Sequence, residues 1–348
     1  MHKNWREFPG ESSLLQLTWT RFRLVLREPE AIFWIFIFPI LLAAGLGIAF
    51  RNRPADVLPV GATTVQIARA LDAGGGLRAE LLTEAESAHA LATGRVVLVA
   101  VAEKDGVRYD YDETNPDGRA ARMAADRALQ AAAGRRDPLT VTDRLVHEVG
   151  SRYIDFVVPG LLGMNLMGSA MWGLGFAIVE ARQKKLLKRM VASPMPRWQY
   201  LLSFLLSRLG MLVIEVVVFL GFARLAFGVP FRGSLWELGV LCVLTSLVFS
   251  ALGLLVASRA RTMEAVSGLM NLAMLPMWIL SGVFFSAARF PAAIQPLVKA
   301  LPLTAAINAL RGNMLEGVGL AHLWAPVAIL AAWFVAPFAL SLRTFRWR

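Results

Sequence analysis

The sequence predicts an α-helical polytopic membrane protein with six transmembrane helices and a small α/β extracytoplasmic domain between helices one and two. Three observations carry this. The 348-residue chain is 56% hydrophobic and 18% charged, whereas soluble domains carry about 25% charged residues. Its apolar residues gather into runs long enough to cross a bilayer, which takes about 20 residues. One polar block, residues 52–154, separates the first such run from the rest.

The elements follow in order. In residues 1–30, Ser13, Gln16, Thr20, Arg23 and Arg27 recur at alternating spacings of 3 and 4. They form one polar helical stripe, with Leu14, Leu17, Phe22 and Val25 off it. Together with Trp19 this predicts an interfacial "elbow" helix lying on the membrane. AIFWIFIFPILLAAGLGIAF (31–50) is the first span, extending to residue 51. Pro39, Gly45 and Gly47 are tolerated inside a membrane helix. RNRP follows where a signal peptide would need small residues for cleavage, so the run reads as a retained anchor.

Residues 52–154 mix strand-like and helical runs. VLPV (57–60), RVVLVAV (95–101) and VRYDY (107–111) predict strands; TTVQIARALD, EAESAHALAT and DGRAARMAADRALQAAA predict helices. AGGGLRAE (73–80) reads as a glycine-rich loop. His89 and His147-Glu148 lack metal-ligand spacing, and DETNPD (112–117) lacks the spacing of an EF-hand. No metal site is expected.

Residues 155–342 hold helices two to six, in runs at 156–179, 207–227, 236–257, 265–285 and 323–342. The stretch 286–317 is broken by Pro291, Pro296 and Pro302 into pieces suited to re-entrant or interfacial helices. Lys and Arg concentrate in 1–30, 180–208, 258–264 and the tail 343–348. The positive-inside rule therefore places both termini in the cytoplasm and the 52–154 block outside; the membrane is expected to be a bacterial inner membrane. The net charge of +11 arises from these loops, and no nucleic-acid-binding pattern accompanies it. Cys242 stands alone in an apolar run, so it forms no intrachain disulfide.

Three polar residues sit at membrane depth. Glu215 lies seven residues beyond Arg208, or about 10 Å along a helix. A carboxyl there is costly unless paired or protonated, which leaves a role in the transport pathway and a structural hydrogen bond both open. Asn165 and Asn271 point to interhelical hydrogen bonding ahead of substrate contact. Gly163, Gly168, Gly173, Gly175, Ser169 and Ala170 make the second span small-sided, favouring close packing.

In KKLLKRMVASPMPR (184–197), Lys184, Lys185, Lys188 and Arg189 fall opposite Leu186, Leu187, Met190 and Val191. Glu180 is placed to pair with Lys184 at i, i+4, and Pro194 and Pro196 end the helix. Four stretches then carry a family resemblance: YIDFVVPGLL (153–162), EARQKKLLKRMVASP (180–194), LSGVFFSAARFP (280–291) and LPLTAAINALRG (301–312). Over nearly its whole length, the chain resembles the permease subunits of type-2 ATP-binding cassette (ABC) transporters, in the subgroup with a large external loop after the first span. Many members carry Gly-Thr where this chain has Lys185-Leu186.

The resemblance implies that 181–196 is a cytoplasmic coupling helix. Glu180, Arg182, Lys184, Lys185, Leu187, Lys188, Arg189, Ser193 and Pro194 would then meet a separate ATPase. It also implies two ATPase copies, a second permease subunit (identical or paralogous) and membrane lipid as partners. No G-x-x-x-x-G-K-[ST] occurs in this chain, so ATP and Mg are expected on the partner, with no catalytic residue and no cofactor here. The spans' apolar, Met- and Phe-rich character suggests amphipathic or lipid-like cargo, such as a drug, a lipid or a lipid-linked molecule. The alternatives are an ion-coupled secondary transporter without an ATPase partner and a membrane-embedded enzyme. The first would need several intramembrane ionisable residues and an internal repeat, the second a cluster of His, Asp or Cys at membrane depth.

Overall fold

Among the described residues, six helices are long and apolar enough to cross a membrane: Pro29–Phe50, Tyr153–Gln183, Leu206–Phe227, Leu235–Arg259, Met263–Leu280 and Leu320–Thr344, hereafter spans one to six. They belong to a computed structural model that describes residues 13–51, 57–104, 106–135, 152–185, 197–260 and 262–344. The chain divides into two units, Met1–Arg51 with His147–Arg348, and Asn52–Val146.

In the first unit, spans two and four form the interior. Of their apolar stretches 61% and 56% are buried, against 28% or less in the other four spans. Close backbone approach makes this packing possible. A Cβ added at Gly160 would stand 2.6 Å from the Val283 carbonyl oxygen, and one at Gly253 would stand 2.9 Å from that of Met171. Both neighbours are backbone and cannot rotate away. Gly163 packs against Ile307, whereas Gly173 faces open space.

Span boundaries differ from the sequence reading at two places. Span two is one 31-residue helix that runs to Gln183, so residues 181–183 continue it rather than start a separate helix. Span five ends at Leu280, short of residue 285, because Gly282 adopts φ +78° and turns the chain.

After that turn come α5 (Gln295–Ala300) and α6 (Pro302–Arg311), with a π-helical turn at Gly312–Glu316. Residues Ala292–Ala300 and Pro302–Glu316 meet at 81°. Leu301 is extended at the bend (φ −66°, ψ 136°), as the residue before a proline is pressed to be. The hairpin is fastened on several sides. Arg311 Nη2 donates to the Phe156 and Gly282 carbonyls at 3.0 and 3.2 Å, and its guanidinium lies 3.8 Å from the Phe156 ring centroid. Asn313 Nδ2 and the Leu320 N–H donate to the Glu237 carboxylate at 3.2 and 3.1 Å. Trp333 Nε1 donates to the Ala300 carbonyl at 2.8 Å.

An amphipathic helix, α1 (Ser13–Arg27), precedes span one and packs along the helix Arg197–Phe227 that contains span three.

The second unit is a four-stranded sheet in the order β2-β1-β3-β4. Its strands are β1 (Leu58–Ala62), β2 (Leu77–Leu81), β3 (Leu98–Glu103) and β4 (Gly106–Tyr111), and its helices are α2 (Val65–Ala73), α3 (Glu84–Ala92) and α4 (Pro116–Ala132). β1 runs parallel to β2 and β3, while β4 is antiparallel to β3. Leu98 and Ala100 of β3 pack with Ile67 and Leu71 of α2 and Ala121 and Ala125 of α4. Val99 and Val101 face the other side, with Ala90 of α3. Both sheet faces are covered, which is why β3 reads as one continuous apolar run.

β2 corrects the reading of 73–80 as a loop. Only Gly74–Gly76 turn the chain, with Gly75 and Gly76 at positive φ. Leu77 to Leu81 then form a five-residue edge strand, whose Arg78 and Glu80 disguised it. In the acidic stretch 112–117, Asp112 Oδ1 accepts from the Thr114 N–H and hydroxyl at 2.8 and 2.7 Å, and Asn115 caps α4. These bonds hold the Asp112 carboxyl below its ordinary pKa. Among the described residues, no group of three or more His, Cys, Asp and Glu is placed to hold a metal.

Candidate functional site

A charged cluster lies inside the spans. Arg208 and Glu215 sit two helical turns apart on span three, and Arg208 Nη1 reaches Glu215 Oε2 at 3.3 Å. Ser169 of span two donates to both Glu215 oxygens, at 2.9 and 3.1 Å, and accepts from Arg208 Nη2 at 2.7 Å. Arg208 Nε donates to Ser246 of span four at 3.3 Å. The Glu215 side chain is fully buried and that of Arg208 is 17% exposed. One carboxylate, one guanidinium and two hydroxyls therefore tie spans two, three and four together and satisfy each other's bonding groups. A carboxyl at this depth is tolerable because it is paired.

Asn165 repairs a different defect. Pro39 lacks the N–H that an α-helix would present to the carbonyl of Ile35, four residues back. The chain there is π-helical, over Phe33–Ile37. Asn165 Nδ2 of span two donates to the Ile35 carbonyl at 3.1 Å, joining spans one and two. Asn165→Leu is expected to lower stability in detergent by about 1–3 kcal/mol, the cost of an orphaned buried carbonyl. Thermal melting checks this, and an unchanged midpoint would mean that water or another donor fills the place. Asn271 is not brought to this region. It is exposed on span five beside Leu272, with no hydrogen bond among the described residues.

Of the coupling residues, Leu187, Lys188, Arg189, Ser193 and Pro194 lie outside the described residues. Glu180 pairs with Lys184 across one helical turn, and that bond raises the Lys184 pKa above the ordinary lysine value. Arg182 turns inward, where its Nη1 donates to the carbonyls of Ala257 and Ala260 at 3.0 and 2.7 Å, at the C-terminal end of span four. Lys185 has φ +52°, the only positive φ outside glycine among the described residues.

The pattern of a family described as "ABC-2 family transporter protein" matches residues 29–343. The chain belongs to the ABC-2 transporter family. It is therefore a multi-pass membrane protein of a transport permease family. Among related proteins, the "Inner membrane transport permease YadH" of Escherichia coli K12 is 26% identical over 54% of this chain and 72% of its own length. "ABC transporter G family member 20" of Dictyostelium discoideum is 26% identical over 58% of this chain. The match spans only 29% of that protein. "Nodulation protein J" of Rhizobium meliloti is 34% identical over 30% of this chain and 40% of its own length.

The backbone of Lys185 carries a local cost. Left-handed backbone costs a side-chain-bearing residue about 1–2 kcal/mol, and glycine is free of that cost. Lys185 holds its left-handed turn without the glycine that would be free of that cost.

Sequence reasoning placed Glu215 at depth without assigning its partners. Arg208 was findable, because residues seven apart share a helical face. Ser169 and Ser246 were not, since nothing local distinguishes them from other serines in the spans. Arg311 carries a conspicuous charge, but its stacking on Phe156 and its two carbonyl acceptors depend on the fold.

Proposed function

We propose that this chain is the permease subunit of an ATP-driven ABC exporter moving an amphipathic or lipid-like substrate out of the cytoplasm or inner leaflet. Two permease subunits, identical or paralogous, form the pathway in a bacterial inner membrane, and two ATPase subunits bind ATP and Mg. Both termini are cytoplasmic, and residues 52–154 fold outside. The exposed amide of Asn271 supports a permease dimer, since a second copy would give it the hydrogen-bond partner that lipid cannot.

The observation that carries the reading is how the chain is fastened on either side of residues 186–196. Before them, Arg182 bonds the terminal carbonyls of span four. After them, the helix Arg197–Phe227 runs unbroken to Arg208, which bonds Ser246 of the same span. A push on this stretch would reach spans two, three and four together. That is what a separate motor requires, whereas an ion-coupled carrier requires several intramembrane ionisable residues and an internal repeat.

Purification of the full chain from its own membranes should bring an ABC ATPase with it. Reconstituted, that complex should move a fluorescent lysophospholipid with ATP present and ion gradients collapsed. Transport that follows an imposed ion gradient without ATP would replace this reading with the secondary transporter.

The topology has its own check. With Cys242 buried, a cysteine at exposed Asp117 is expected to react with an impermeant thiol reagent in intact cells, and one at exposed Arg259 is not. The opposite pattern would invert the chain.

A further inference from the structure

Helix α1 has three sides, and the fold uses one. On that side Arg21 Nε donates to Ser203 Oγ at 3.0 Å, and Phe22 lies against Gly210. A second side shows Leu15, Trp19 and Leu26, which are 57%, 54% and 41% exposed. The third shows Gln16, Thr20, Arg23 and Arg27, also exposed. At 3.6 residues per turn the apolar and polar sides adjoin, and Trp19 stands at the seam, with the Arg23 guanidinium 4.9 Å from its ring centroid.

The docking contacts fix the level of this helix. Ser203 lies just before Leu206, where span three begins, and Gly210 lies one turn inside it. Helix α1 therefore runs along the membrane boundary, where its apolar side meets acyl chains and its arginines meet headgroups. Neither Arg23 nor Arg27 forms an ion pair among the described residues. The neighbouring acid Glu28 is exposed and bridges to neither among the described residues.

We propose that Arg23, Arg27 and Trp19 form a binding site for the headgroup phosphate of an anionic phospholipid. Arg23 and Arg27 are one turn apart on the same side, within reach of one phosphate, to which arginine offers a bidentate fork. Trp19 sits at headgroup level with its indole toward the chains, as interfacial tryptophans do. A zwitterionic lipid brings its own cation to the phosphate and competes poorly. A lipid held here bears on the helix that carries Arg208 and Glu215, because α1 is docked onto that helix.

The test is native mass spectrometry of the full chain in detergent, titrated with phosphatidylglycerol or phosphatidylcholine. The variants are R23Q/R27Q, R23K/R27K and the control R259Q/R343Q, which removes two exposed arginines from the neighbouring ends of spans four and six. All are compared at matched melting temperature. R23Q/R27Q should weaken phosphatidylglycerol binding about 30-fold, as expected for two arginines at an anionic surface. R23K/R27K should recover only part of that loss, since lysine keeps the charge but not the bidentate fork, and the control, which leaves both α1 arginines in place, should stay close to wild type. Equal weakening in the control would reduce the effect to diffuse surface charge. Unchanged binding in R23Q/R27Q, equal binding of phosphatidylcholine, or displacement by millimolar inorganic phosphate would each overturn the site.

Discussion

Arg208→Met is expected to destabilise the permease by about 3–5 kcal/mol, the cost of stranding one member of a buried ion pair. Glu215 has no water to turn to, and the Ser169 hydroxyl alone cannot balance its charge. Glu215→Gln should cost less, because the amide keeps the shape and an acceptor for Arg208, whose side chain is 17% exposed and can hydrate. The double replacement Arg208→Met/Glu215→Leu should recover most of the single Arg208 loss, since an apolar pair of similar volume leaves no buried charge. Unfolding in detergent, analysed as a double-mutant cycle, measures this directly. Additive losses would show that the two side chains are not coupled. The same variants separate structure from function. Glu215→Gln should retain folding and ATPase-subunit association while lowering ATP-dependent transport about tenfold, the equivalent of roughly 1.4 kcal/mol. Loss of assembly instead would confine the cluster to a structural role.

What could be read in the sequence tracks what is local. Run length and absence of charge mark a span, so the six apolar runs correspond to six membrane-capable helices among the described residues. Their ends were harder to read, because they depend on single residues. Gly282 stops span five by its left-handed backbone, and the sequence offers no sign that one glycine among many turns the chain. The edge strand β2 was hidden by Arg78 and Glu80, which an edge tolerates and a central strand would not. The polar cluster lay between these cases. Arg208 and Glu215 are on one helix, and a spacing of seven makes them neighbours by arithmetic. Their serine partners come from two other spans, which pack on each other where Gly253 meets Met171, and no local rule reaches that. Asn165 shows the same limit. Pro39 announces an orphaned carbonyl, but only the packing of spans one and two decides which amide answers it.

Reversing charge at Lys185, Lys188 and Arg189 is expected to remove ATPase co-purification and transport, while reversing Arg343, Arg346 and Arg348 should leave both intact. Each triplet falls in a basic segment assigned to the cytoplasm, so effects on topology are matched between them. If the first triplet were a solvated helix face, its reversal would matter little, because exposed ion pairs contribute about 0–1 kcal/mol. At a docked surface the same reversal places like charges against the partner and costs several kcal/mol. The fastening of the flanking residues sharpens the comparison. Arg182 and the helix beginning at Arg197 are set by span four, so the stretch between them has fixed ends. Lys185 adds a second handle, since Lys185→Gly removes a charge but relieves its φ of +52°. That variant should keep the ATPase bound if the turn matters more than the ammonium at this position. Equal behaviour of the two reversed triplets would reduce the stretch to a marker of membrane orientation and leave the inward-facing Arg182 and Arg208 as internal braces alone.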